Sequence, residues 1–232
     1  MEERNTQLRK KELVNDRGFY CRDENTNKAL VSGEIVESLQ VNHVILGERF
    51  FKTTIKVTRM SGNEDLIPVH VSERLLTNMI QNLIVGNKVR VSGQIRSYNR
   101  RGVDGEYHLN VVLFAWSFEL LNNEEDLQIQ DKNSIELEGY ICRPTVYRNT
   151  LTRRQITDMF IIVHRSNNNY DYIPCIAWGR NALYARDFKV GDKIKLWGRV
   201  QSREYYKSYS DQFIEGTYRT VHEISAYCMF KI

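Results

Sequence analysis

Proline is scarce, with three in 232 residues, and glycine is modest at 13, which excludes a collagenous or low-complexity chain. The four cysteines, Cys21, Cys142, Cys175 and Cys228, form no C-x-x-C pair, so a zinc knuckle is not expected. Cys142 and Cys175 lie in apolar, strand-like runs and read as buried free thiols. His43, His70, His108, His164 and His222 are scattered without metal-ligand spacing, and neither a metal nor another cofactor is expected. No apolar run approaches the roughly 20 residues that span a bilayer. The N-terminal "MEERNTQLRKKELVNDRG" lacks the apolar centre of a signal peptide. The expectation is a cytoplasmic protein without membrane contact. Gly-rich phosphate loops, carboxylate clusters and nucleophile–base pairs are also missing, so an enzyme is not expected. Asp65 and Asp171 each precede an apolar run and read as turn residues.

What is present is unevenly spread. The net charge is +4, but residues 119–138 carry −6 and residues 139–232 carry +7. The same C-terminal stretch holds 16 of the 25 aromatic residues. A segment both basic and aromatic suits polyanions with flat bases, with adhesion to any acidic partner as the alternative.

The chain also repeats itself. "VGNKVRVSGQIRS" at Val85–Ser97 returns as "VGDKIKLWGRVQS" at Val190–Ser202, 105 positions later. Gly33 and Gly139, Val57 and Val163, Arg59 and Arg165, Asp65 and Asp171, and Pro68 and Pro174 are each 106 apart. Such spacing is that of a duplicated unit of about 100 residues.

Within each copy the pattern is mainly period-two alternation. "SIELEGYIC", "DMFIIVHR", "DYIPCIAW", "KIKLWGRVQSREYY" and "TVHEISAYCMFKI" read as strands, and "GRNALYARDF", with Ala and Leu at helical spacing, as a short helix. The order β-β-β-α-β-β predicts an all-β protein of two tandem oligonucleotide/oligosaccharide-binding (OB) folds, five-stranded Greek-key barrels each with a short helix. Mid-strand Gly33, Gly93, Gly139 and Gly198 suit the bends of a small closed barrel. Pro68 and Pro174 should sit at an edge or bulge. The expected division is an N-terminal extension over 1–27, a diverged first barrel over 28–120, an acidic linker over 121–134 and a second barrel over 135–232.

Strand parity then separates core from surface. In the long strand of the second copy, Ile194, Leu196, Gly198 and Val200 point one way. Lys195, Trp197, Arg199, Gln201, Arg203 and Tyr205 point the other, as a stripe of cations and rings. In the third strand Tyr172, Pro174, Ile176 and Trp178 share the outer face. Aromatic rings stack unpaired bases while cations follow phosphates, a sequence-tolerant mode of binding. The competing reading is that these rings fill a protein interface or cap the barrel. The first copy is poorer in rings. Leu66 and Ser72 stand where the second has Tyr172 and Trp178, although Arg96, Tyr98 and Arg100 remain in its stripe.

"DYIPCIAWGRNALYARDFKVGDKIKLWGRVQSREYY" resembles the core of bacterial single-stranded DNA-binding proteins, fairly well over residues 135–232 and weakly over 28–120. The resemblance implies base stacking by Tyr172, Trp178 and Tyr205 and phosphate contact by Arg180 and Arg203. With the stripe and its flank, the expected nucleic-acid-binding set adds Arg165, Lys195, Trp197 and Arg199, and in the first copy Arg96, Tyr98 and Arg100. It also implies a homodimer presenting four barrels. The family's flexible acidic tail has no counterpart after "SAYCMFKI", so recruitment of replication or repair proteins through such a tail is not expected. The expected function is non-enzymatic, largely sequence-independent binding of single-stranded DNA in replication, recombination or repair. A primosome-type accessory protein that uses its barrels for protein contacts, with replication proteins as partners, stays open, as does an RNA-binding protein.

Overall fold

The computed structural model describes residues 26–77, 79–102, 105–122, 131–150, 153–165, 169–207 and 217–232, with residues 205–207 and 217–219 by their backbone alone. The expectations for residues 1–25, for 123–130 of the acidic segment and for the side chain of Tyr205 lie outside the described residues.

Two sets of six strands repeat one another. The first is β1 (Asn27–Ile35), β2 (Gln40–Ile45), β3 (Glu48–Thr58), β4 (Glu64–Ser72), β5 (Lys88–Arg101) and β6 (Tyr107–Leu120). The second is β7 (Lys132–Ile141), β8 (Val146–Asn149), β9 (Gln155–His164), β10 (Tyr170–Trp178), β11 (Lys193–Lys207) and β12 (Thr217–Lys231). One short helix interrupts each set, α1 (Glu73–Leu76) and α2 (Arg180–Ala185). Five strands per barrel were expected. The sixth, β2 or β8, arises because the loop after the first strand folds back as a hairpin arm on β3 or β9.

The twelve strands run β2-β3-β4-β6-β5-β1-β7-β11-β12-β10-β9-β8, an order that reads the same from either end once six is subtracted. Each half closes on itself through β1–β3 or β7–β9. Closure brings backbones very near: a Cβ on Gly33 would lie 2.1 Å from the Lys56 carbonyl oxygen, so only glycine fits. Both prolines lie where β4 and β10 have a partner on one side only, just before pairing with β6 and β12 begins.

Period-two alternation accounts for the core. In β11 Ile194, Leu196 and Val200 are buried, as are Val89, Val91 and Ile95 in β5. Burying each such side chain fully contributes about 1.5–3 kcal/mol. In α2 the buried face is Ala182 and Ala185, whereas Leu183 stays exposed. The small side chains let the helix lie close on β9, where the Thr157 hydroxyl donates to the Ala182 carbonyl at 2.7 Å. Cys175 is buried as expected, but Cys142 is only partly so.

The halves are joined by β1 pairing with β7, antiparallel, with Ala29 opposite Ile135 and Val31 opposite Asn133. An asparagine side chain on each joint strand ties that strand to its neighbour within its own barrel. Asn27 clasps the backbone of Ile95 through both its amide atoms, and Asn133 does the same to Val200. Asn27 and Asn133 are again 106 apart, so the chain contains a pseudo-two-fold axis.

Candidate nucleic-acid interface

Asp65 and Asp171 do not serve turns, as their positions had suggested. Both lie within strands, β4 and β10, fully buried at the joint. Asp171 accepts from Arg165 of its own barrel and, from the first, the Ser97 backbone N–H at 2.5 Å and Arg96 at 3.3 Å. Asp65 accepts from Arg59 of its own barrel and, from the second, the Ser202 backbone N–H at 3.2 Å, with Arg199 at 3.8 Å. Serine hydroxyls complete the exchange: Ser97 Oγ accepts from Tyr172 N at 2.8 Å and Ser202 Oγ from Leu66 N at 2.9 Å.

This arrangement gives three of the expected phosphate-binding arginines a partner inside the protein. Arg96, Arg165 and Arg199 neutralise buried carboxylates. Burial lowers the pKa of Arg96 against the opposing pull of Asp171, and Arg199 is lowered for the same reason, with Arg59 beside it adding to the effect.

Other expected residues are disposed in separate groups. Tyr172 is exposed on the outer face of β10, with its backbone pinned by Ser97. Trp178, half-buried, ends the same strand, and Arg180 opens α2, exposed and without an ion pair among the described residues. Ile176, between them in parity, is buried. Lys195 and Trp197 lie elsewhere, on the part of β11 that pairs with β7. Lys195 bonds Glu136 at 2.7 Å and sits 5.1 Å over the Trp197 ring, which packs on Phe230 at 5.5 Å. The hydrogen bond from Lys195 is the main cause that holds the Glu136 carboxyl below its ordinary value. Arg203 is exposed and reaches Glu223 at 3.3 Å. Burial raises the Glu223 carboxyl, and Arg203 opposes that rise. Tyr98 and Arg100 are exposed at the far end of β5.

The structure also brings together rings that parity between the two copies did not reveal. On the first barrel His43 stacks on Phe50 at 4.9 Å, Phe50 meets Phe114 at 5.9 Å, and His70 meets Tyr98 at 5.8 Å. Arg96 lies 6.0 Å over Phe114. These rings come from β2, β3, β4, β5 and β6, whereas comparison with the second copy looked only at β4 and β5. Ser72, which replaces a tryptophan in that comparison, has another task. It is the N-cap of α1, accepting the Arg74 N–H at 3.1 Å. Tyr170, two residues before Tyr172 on the same strand face, was also missed, although the alternation in "YDY" carries its signal.

Among the described residues no group of three or more His, Cys, Asp or Glu could hold a metal ion, and no helix is long and apolar enough to cross a membrane.

Residues 132–229 match the model of the single-strand binding protein family. The matched stretch is the second barrel. Two solved structures share the fold over 89% of this chain. A deletion mutant of the single-stranded DNA binding protein from Thermus aquaticus matches with a TM-score of 0.69, 17% identity and 94% of its own chain covered. The wild-type protein from the same organism matches with 0.69, 16% and 92%. The all-β, two-barrel architecture of this chain is therefore that of a known tandem OB fold. The N-terminal domain of PriB from Thermoanaerobacter tencongensis is 33% identical over 42% of this chain and 98% of its own, with a TM-score of 0.37. No curated protein sequence matches the chain.

Proposed function

We infer that this protein binds single-stranded DNA without strong sequence preference and without catalysis, protecting or presenting unpaired strands in replication, recombination or repair. The observation that carries this reading is the pair Tyr172 and Trp178. They stand on one outer strand face of the barrel that matches the single-strand binding family. Stacking on their π-faces accepts any base, so affinity comes from rings and phosphate contacts rather than base-edge readout. The second barrel is the principal binding unit and Arg180 and Arg203 its phosphate contacts; the first contributes Tyr98 and Arg100.

The working form is a homodimer presenting four barrels, acting in the cytoplasm. A stable dimer at micromolar concentration is expected in light scattering. A mass near 27.4 kDa, that of one chain, would exclude it. Titration with poly(dT), poly(rU) and duplex DNA tests the main reading. Tight binding to poly(dT) with weak binding to duplex is expected, and equal affinity for duplex would overturn it.

A further inference from the structure

A cleft of about 510 Å³ opens across the joint on the side of Asp171. The first barrel supplies Tyr98, Asn99 and Leu109, and the second supplies Asn169, Tyr170 and Tyr172. The volume lies within the range of ligand sites. Its three tyrosines are 38%, 49% and 42% exposed, so their rings are neither core nor fully free. The Asn99 side-chain amide carries both a donor and an acceptor, the groups found on the edges of nucleobases. Arg165 also lines the cleft, but its guanidinium is held by Asp171 and by the Ser97 carbonyl at 2.8 Å. It therefore shapes the wall rather than offering a free charge.

The pseudo-two-fold axis gives an internal control. At the mirror position Tyr98 becomes Arg203, Asn99 becomes Glu204, Tyr170 becomes Glu64 and Tyr172 becomes Leu66. That side presents no tyrosine at these positions and two exposed carboxylates. The Leu66 carbonyl is bonded to His222 Nε2 at 2.8 Å. One edge of the joint thus offers three rings to flat bases, whereas the other offers none at these positions and sets the Arg203 guanidinium, paired with Glu223, beside two carboxylates.

We propose that the tyrosine-lined cleft holds unpaired nucleotides where a single strand passes from one barrel to the other, so that the strand crosses the joint on this side. The proposal rests on the single-stranded DNA reading and adds a path to it. Tyr98 joins the cleft to the ring cluster of the first barrel through His70, and Tyr172 joins it to Trp178 of the second. The joint is then a continuous part of the binding track rather than a gap between two sites.

Oligonucleotide length separates this site from the barrels. One OB fold occupies about 4–16 nucleotides, so dT of about 8 residues can sit on one barrel and dT of about 30 must span both. Tyr170→Ala is expected to weaken the long oligonucleotide about 5- to 150-fold and to leave the short one within about twofold. Tyr170→Phe keeps the ring and should bind both as wild type does. Glu64→Ala, in the mirror cleft, should weaken neither. A 5-iodouracil-substituted 30-mer should photocrosslink to Tyr98 or Tyr170 in the full chain. Equal loss for both lengths, loss for neither, or crosslinks confined to the mirror edge would each overturn the crossing site while leaving DNA binding intact. A wild-type protein that binds neither oligonucleotide would overturn the single-stranded DNA reading itself.

Discussion

Asp65 and Asp171 exchange partners across the joint: each sits in one barrel and accepts a backbone N–H from the other, Asp65 from Ser202 and Asp171 from Ser97. Each carboxylate is also held by an arginine of its own barrel, so the contact couples the orientation of the two barrels to two buried charges. The halves are not equally tight. Arg96 approaches Asp171 to 3.3 Å, whereas Arg199 stays 3.8 Å from Asp65 and bonds Gln201 at 3.2 Å instead.

Asp171→Ala should therefore destabilise the protein by about 3–5 kcal/mol, the usual consequence of removing one member of a buried ion pair. Arg96 and Arg165 would be left facing each other, and the Ser97 N–H would lose its acceptor. Asp65→Ala should cost less, because its cross-barrel contacts are longer. Urea unfolding of both variants measures the difference. A loss below about 1 kcal/mol for Asp171→Ala would contradict the role given to the joint.

A second prediction concerns acid. Burial pushes the His70 imidazole down to about 4, with further lowering from His43, whose ring lies 6.4 Å away, and from Lys52; Tyr98 faces it at 5.8 Å. The unfolded chain takes up this proton near the ordinary value of about 6.5. The contribution of neutral His70 is thus complete above pH 6.5 and declines as pH falls towards 4. His70→Phe should flatten that decline. Comparing urea midpoints at pH 7 and pH 4.5 for both proteins tests it, and an identical pH dependence would refute it.

The salt response follows from which cations are already paired. Each phosphate contacted on a single strand contributes a slope of about −0.7 in log affinity against log salt. Arg100 is exposed and without an ion pair among the described residues. Arg100→Ala should make the slope shallower by about 0.7 and leave the melting temperature alone. Arg165→Ala should lower the melting temperature, because the buried Asp171 loses the arginine of its own barrel. The opposite assignment of effects would reverse the roles of the two arginines.

Much of this was legible in the sequence, and the boundary of legibility is physical. Parity along a strand is a local property, so Ile194, Leu196 and Val200 could be placed in the core and Tyr172 outside it. The spacing of 105 and 106 residues carried the duplication and, with the strand order, the two barrels. Parity does not say which side of the joint an outward residue faces. That depends on the pairing of β1 with β7, between residues about a hundred positions apart. Arg96, Arg165 and Arg199 were thus readable as outward-facing cations, but their engagement with Asp171 and Asp65 was not. The ring cluster of His43, Phe50, His70 and Phe114 draws on strands that pack side by side only after the barrel closes, and comparison of the copies position by position passes over it.

The last prediction tests the pair on which the functional reading stands. Tyr172 and Trp178 are six residues apart on one face of β10, about 20 Å at the rise of a strand. Bases stacked on them belong to different nucleotides, so each ring contributes separately. Trp178→Ala should weaken binding to poly(dT) by about 1–3 kcal/mol, roughly 5- to 150-fold. Ser72→Ala, at the matching position of the first barrel, removes no ring. Its cost should fall on stability, about 0.5–2 kcal/mol through the lost cap of α1, and not on affinity. Tryptophan fluorescence of the wild type should be quenched by poly(dT), and less so in the Trp178→Ala variant. The competing role for Trp178 is to cap the barrel where β10 turns into α2, since its neighbour Gly179 bonds Gln155 across to β9 at 2.9 Å. Under that role the Trp178→Ala variant would melt earlier while each folded molecule kept its affinity within about twofold. Measuring melting temperature and affinity on the same preparation decides between the two, because stacking moves the second quantity and capping moves the first.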